Sequence, residues 1–417
     1  MVKCGNCKKG RRQMKIFSSL EVKNFRLYWF GTIISMVGNW IQIVAQGWLI
    51  YSLTKSEFLL GFIGFLASIP VLVFSLPSGV IADRKSKRYI LFITQAVMMV
   101  LALIMGLLVS TGAIKVWQIM VIVFLNGTAM ALDGPTRQSF ILELVGADNL
   151  PNAIGLNATA FHGARVIGPA AAGIIIGYLG LAACFYINAV SFLATLIALF
   201  AMKNVAGKHS AASGGGILDA LKEAFGYLVS NKNIMALIIL VAVQSLIVMP
   251  YTNFMPVFAK EILHSDAKGL GLLMSSAGLG AVLGALTVAF LARSKRRVMM
   301  VMYSYMVFSV FLILFALSKN FVFSQICLVF IGWGTVTSLA TMNGIVQMNV
   351  PNEMRGRIMS IYMISFAGVM PFGSLIAGII SSFSSVQVTF VLFGTFSMIA
   401  CAGLYFKKER YLKFRQV

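Results

Sequence analysis

Runs of roughly 20 apolar residues, parted by short polar turns, recur from Asn24 almost to the end of the chain. That length crosses a ~30 Å hydrocarbon core as a helix. The pattern predicts twelve crossings. The first covers about 24–51, and the second follows the turn 54–57 and ends near 82. The third and fourth cover about 89–109 and 116–144, the fifth runs from a turn at 146–152 to about 178, and the sixth covers 181–202. The others cover about 234–257, 269–291, 298–317, 322–344, 356–380 and 387–406. Alternating ten-residue segments of β-barrel type are absent from the sequence.

One interruption divides the series. Between the sixth and seventh runs lies AGKHSAASGGG, a small-residue linker. It leads into Ile217, Leu218, Leu221, Phe225 and Leu228, which share one face of an amphipathic helix expected to lie on the membrane surface. The expected organisation is a basic tail (1–23), a six-helix bundle (24–203), the linker with its helix (204–233), a second six-helix bundle (234–406) and a basic tail (407–417). The halves echo each other. Ala82-Asp83-Arg84-Lys85-Ser86-Lys87-Arg88 follows the second run, and Leu291-Ala292-Arg293-Ser294-Lys295-Arg296-Arg297 follows the eighth, without the aspartate. Duplicated halves around a central loop mark secondary transporters, with substrate bound at mid-membrane between the halves. The fold class is therefore an all-α membrane protein of two pseudo-symmetric six-helix bundles.

Polar positions inside the apolar runs then stand out. Ser35, Asn39, Gln42 and Gln46 repeat at four, three and four, as do Asn126, Met130, Asp133 and Arg137, so each set shares a helix face. Such stripes line a water-filled cavity or bond helix to helix. Asp133 before the 146–152 turn, and Arg165 after it, each fall on the order of 18–20 Å from the turn, at mid-depth. Ionisable groups there are costly and mark function. Asp133 pairs with Arg165 or Arg137 in this reading, either as a proton-coupling site or as a static buried ion pair. Arg165 is also a candidate to bind an anionic substrate group, with His162 on the same face.

Composition sharpens the picture. A hydrophobic fraction of 59% and a mean hydropathy of +0.89 exclude an ordinary soluble globule. The net charge of +22 invites a nucleic-acid partner, but its distribution excludes one. Of the 34 Lys and Arg, 28 fall on one side of the predicted spans and five on the other, with Arg165 between. By the positive-inside rule both termini are cytoplasmic. Cys4 and Cys7 have a metal- or redox-type spacing without a second pair, and the three His match no metal site. No GxxxxGK[ST] loop and no enzyme constellation is present, so neither a cofactor nor ATP is expected.

Gly79-x-x-Ala82-Asp83-Arg84-x-x-Lys87-Arg88 resembles the signature loop of the major facilitator superfamily, with Ser86 in place of the usual glycine. Ala164-x-x-x-Gly168-Pro169-x-x-Ala172-Gly173 resembles the fifth-span motif of its exporters. Asp133-Gly-Pro135-Thr-Arg137-Gln138 through Glu143-Leu-Val, with Arg355-Gly-Arg357, is most similar to the branch of enterobactin exporters and macrolide-efflux proteins. The resemblance implies a cavity lined by spans one, four, seven and ten, adding Gln244 and Tyr251, and Asn343 and Gln347, to Asn39, Gln42, Gln46, Asn126, Met130 and Arg165. It also implies a cytoplasmic latch at Asp83, Arg84 and Arg88. Trp40, Trp48, Met130 and Met342 suit a large, partly apolar ligand. The expected function is export of an amphiphilic small molecule across a bacterial inner membrane by a monomer working with protons, among membrane lipids. A lysophospholipid flippase of the same fold and a non-transporting sensor are the alternatives.

Overall fold

The computed structural model describes residues 17–203, 217–248, 250–291 and 296–406. Residues 1–16 with Cys4 and Cys7, linker residues 204–216 and the tail 407–417 lie outside them. Among the described residues eleven helices are long and apolar enough to cross a membrane, and one of them, α4 (Val116–Leu179), holds two crossings. The first half comprises α1 (Lys23–Thr54), α2 (Glu57–Arg84), α3 (Lys87–Ser110), α4 and α5 (Leu181–Ala201). The linker helix α6 (Ile217–Ser230) precedes the second half. That half comprises α7 (Lys232–Val248), α8 (Tyr251–Val257), α9 (Ala267–Phe290), α10 (Arg297–Leu317), α11 (Phe321–Asn349), α12 (Asn352–Met363), α13 (Met370–Phe383) and α14 (Val386–Phe406). Counting the two limbs of α4, and joining α7 to α8 and α12 to α13, the chain crosses twelve times, as two six-helix bundles.

The turn expected at 146–152 is far tighter. Within α4 only Gly146 leaves helical geometry, at φ 72° and ψ 172°. A positive φ is costly for any residue with a Cβ, which is why glycine stands there. The helix resumes at once, so Arg165 lies 19 residues from the bend and Asp133 only 13. At about 1.5 Å per residue the two differ in depth by roughly 9 Å. Equal depth was the wrong expectation, and the error came from the length assigned to the turn.

Two crossings of the second half are broken in ways the sequence pattern does not announce. Pro250, at the N-cap of α8, parts α7 from α8, and a π-helical turn follows at Phe258–Ile262. A second π-helical turn, Ile364–Gly368, sits just before Pro371. Proline has no N–H for the preceding turn, and a π-turn absorbs the missing bond. The first half runs through Pro135 and Pro169 with helical dihedrals intact.

In lipid there is no hydrophobic drive between helices, so close packing of small residues holds the bundles. A Cβ at Gly280 would lie 1.9 Å from the Val329 carbonyl oxygen, which fixes α9 on α11. The linker helix docks against the second half. Glu223 pairs with Arg357 of α12, and Ala224 and Leu228 are buried. Phe225 is exposed.

A crevice at the junction of the halves

The two bundles touch along seams on the side away from the Lys/Arg-rich loops. The second limb of α4 meets α9 there. A Cβ at Gly271 would lie 2.4 Å from the Pro169 carbonyl oxygen and 3.1 Å from the Gly173 Cα. The Ser275 hydroxyl donates to the Val166 carbonyl at 2.7 Å. The start of α2 meets α13 in the same manner, with a Gly61 Cβ position 2.4 Å from the Ser374 carbonyl and 2.7 Å from the Gly378 Cα. Charged groups rim the seams. Lys55 pairs with Glu261 at 3.5 Å, Lys260 lies 5.3 Å from the Trp48 ring centre, and Lys268 lies 4.3 Å from that of Tyr178.

On the basic side, the described ion pairs and arginine bonds stay within one half. Lys87 pairs with Glu143, Arg88 donates to the Phe200 carbonyl at 3.1 Å, and Arg355 donates to the Gln347 carbonyl at 3.0 Å. Cβ positions at Gly134, Gly155, Gly163, Gly344 and Gly356 meet nothing within 4 Å. Among the described residues, the close backbone contacts between the halves lie on the side away from the basic loops. Asp83 and Arg84 occupy the last turn of α2, and their side chains lie outside the described residues. Arg88 does not reach the second half in this conformation, because its guanidinium is held by the end of α5.

At the inner end of the seal, Trp40, Arg165, Tyr251, Thr252, Met255, Met274 and Ala277 line a narrow crevice with about 10 Å³ of enclosed space. The Arg165 guanidinium lies 5.7 Å from the centre of the Trp40 ring, and Phe161 packs edge-on against that ring at 6.2 Å. Gly168 makes room for Trp40, since a Cβ there would sit 2.4 Å from the Trp40 Cβ. Tyr251 is buried, and its hydroxyl faces the Arg165 guanidinium with no acceptor for its own proton.

Asp133 is held elsewhere. One carboxylate oxygen accepts from Arg137 Nε at 3.0 Å and Nη2 at 2.8 Å. The other accepts from Gln95 at 2.8 Å and Thr94 at 3.1 Å, both on α3. Arg137 in turn lies 6.0 Å from the Tyr28 ring centre. Of the two partners expected for Asp133, Arg137 is the one present; Arg165 is too far along the second limb.

The polar stripes divide on inspection. Ser35 and Gln42 are buried, and Gln42 accepts from Asn188 of α5 at 2.7 Å. Gln244 is fully buried and donates to Ser338 of α11 at 2.8 Å. Both glutamines are bonded into their own half and do not line the crevice, contrary to expectation. Met342 is likewise core. Asn39 and Gln46 are half-buried. Asn126 is half-buried and Met130 exposed on the first limb of α4, and Asn343 bonds Gln347 at 2.6 Å on α11. Thr252, Met255 and Met274 escaped the sequence reading, because a Met or Thr in an apolar run carries no contrast with its neighbours. Among the described residues no three His, Cys, Asp or Glu side chains group as metal ligands.

The Lys55–Glu261 pair is about half exposed, and such pairs contribute little, about 0.2–1 kcal/mol. Lys55→Gln should therefore change the separation of labels at Thr111 and Lys319, across the sealed face, only slightly. A large opening would show that the rim charges, not the glycine seams, hold the seal.

Two six-helix bundles, joined by a linker and meeting over a crevice that is sealed on one side, define a transporter of the major facilitator class. The chain belongs to the family described as "Transmembrane secretion effector", whose model matches residues 14–413. It is 25% identical over 387 residues to the staphyloferrin A transporter of Staphylococcus aureus (strain NCTC 8325 / PS 47), covering 91% of this chain and 95% of that protein. It is 19% identical over 400 residues to macrolide efflux protein A of Streptococcus pyogenes, covering 94% and 96%. Among solved structures, a bacterial homologue of the human lysosomal transporter Spinster, in an inward-facing and unoccupied conformation, superposes with a TM-score of 0.71. The sequences are 14% identical, with 96% of this chain and 98% of that one covered.

Proposed function

We propose that this protein exports an amphiphilic, siderophore- or drug-like molecule across the bacterial inner membrane by alternating access, in exchange for protons. The observation that carries the reading is the one-sided closure: glycine seams join the halves on one face, while the described ion pair Lys87–Glu143 and the Arg88 and Arg355 bonds of the basic face stay within one half. With the Lys/Arg-rich side in the cytoplasm, this conformation is open inward, where an exporter loads its cargo. The six-helix units 24–203 and 234–406 are then the bodies that rock against each other. Asn39, Gln46, Asn126, Met130, Asn343 and Gln347 are the groups that cargo meets on its way to the Arg165 crevice. The names of the two bacterial relatives, one a siderophore transporter and the other an efflux protein, favour this cargo class.

Asp133 is the proton site in this reading. It is the carboxylate at mid-depth, held there by Arg137, Gln95 and Thr94. The test is accumulation of an environment-sensitive amphiphilic dye, and separately a catecholate siderophore, in inverted vesicles with an imposed proton gradient. Uptake that collapses with an uncoupler is the expected result. Binding with no dependence on the gradient would remove the proton exchange and leave facilitated movement or lysophospholipid handling.

A further inference from the structure

Arg165 is a half-buried cation short of an anion. No carboxylate among the described residues comes within ion-pairing distance of it, and the carboxylate expected for it, Asp133, is engaged by four donors elsewhere. Its neighbour on one side is the face of Trp40, which attracts a cation but offers no lone pair. The Tyr251 hydroxyl, buried against Arg165, has no acceptor for its own proton, and His162 Nδ1, three residues before Arg165, is buried without a hydrogen bond. Buried polar atoms are ordinarily paired, so this surplus points to a missing partner. What is missing has the chemistry of an acceptor. The guanidinium is planar and carries its donors in a fork that matches two oxygens of one group.

We infer that the crevice at Trp40, Arg165 and Tyr251 anchors a carboxylate group of the exported molecule; this rests on the export reading above. Arg165 takes the two oxygens, the Tyr251 hydroxyl donates to one of them, and Trp40 holds the guanidinium plane in place. The enclosed space of about 10 Å³ is far below the ~300–1,000 Å³ of sites that engulf a drug-sized ligand, so only the mouth of the crevice is open to cargo. That mouth therefore holds one acidic group, while the apolar body of the cargo extends toward the open side past Phe161, which is 44% exposed. Because the anchor lies where the second limb of α4 meets α9, an occupied crevice bridges the two halves. Cargo charge is read at the point where the halves pivot.

The test uses the full-length protein in phosphatidylcholine nanodiscs with 11-(dansylamino)undecanoic acid, its uncharged amide and a quaternary-ammonium analogue, empty discs being subtracted. The acid should bind at least about tenfold more tightly than the amide, and the ammonium analogue more weakly still. Arg165→Gln should bring the acid-to-amide ratio to about one. Arg165→Lys should keep part of it, and Tyr251→Phe should lower it severalfold while the cation remains. The Lys and Phe variants keep the test decisive if Arg165→Gln does not fold. Equal binding of acid and amide by the native protein, or a ratio untouched by Arg165→Gln, overturns the inference. So does loss of acid binding in phosphatidylglycerol discs, which would reassign the site to a lipid headgroup. Flux of the amide into inverted vesicles separates the two claims: amide exported with no acid preference defeats the anchor alone, and no probe bound or moved defeats export as well.

Discussion

Gly271→Val should unseat the closed face and drive the population toward the state that opens on that side. At this position α9 and the second limb of α4 are in backbone contact, with the Pro169 carbonyl and the Gly173 Cα where a side chain would go. Neither is the flexible end of a side chain, so the strain is relieved only by parting the seam. Overpacking of this kind costs about 1–3 kcal/mol. Because that cost falls on one conformation and vanishes when the halves separate, it acts wholly on the equilibrium, and each 1.4 kcal/mol is about tenfold. Spin labels at Thr111 and Lys319 should move apart, and dye accumulation in inverted vesicles should fall roughly in proportion to the lost inward-open population. Gly61→Val probes the α2–α13 seam by the same route. Gly134→Ala, at a position with nothing within 4 Å, is the matched control and should leave the label distances alone. If the Gly271 variant reaches the membrane in normal amount with native distances, the seam is not what sets the conformation.

The second large effect is at Asp133. Asp133→Asn exchanges a carboxylate that accepts four hydrogen bonds for an amide that cannot satisfy Arg137. Leaving one member of a buried pair uncompensated costs about 3–5 kcal/mol. Thermal unfolding in detergent should therefore fall steeply for Asp133→Asn. It should recover most of the way in the double variant Asp133→Asn with Arg137→Gln, where no lone charge remains. The double variant also separates the two roles. Recovered stability without gradient-driven export is the expected outcome and makes Asp133 the proton site. Recovery of both would make the pair structural only and move proton coupling elsewhere.

Much of the fold was legible because a bilayer imposes one dominant rule. Apolar runs of fixed length, the basic-loop asymmetry and the repeated Ala82–Arg88 and Leu291–Arg297 segments specify twelve crossings in two bundles. The site was legible only in part. Helical periodicity tells which residues share a face, as with Ser35 and Gln42, but not which neighbour that face meets. Theirs meets α5, so Gln42 spends its polarity on Asn188. Gln244 was misjudged in the same way, its partner Ser338 being 94 residues distant in sequence. Arg165 stood out because a charge in an apolar run has no background to hide in. Met255 and Met274, opposite it, looked like every other apolar position. The breaks at Pro250 and before Pro371 depend on how a helix redistributes one lost hydrogen bond, which sequence spacing does not encode.

The bend at Gly146 has a mechanical meaning. One residue joins the limb that carries Asp133 to the limb that carries Arg165, and consecutive Cα atoms are about 3.8 Å apart whatever the dihedrals do. The limbs cannot slide or drift apart; they can only swing about a single joint. Thirteen residues on one arm and nineteen on the other make the Arg165 arm the longer by nearly half. Asp133 and Arg137 ride on one arm and Arg165 on the other, so all three keep a fixed reach from one joint.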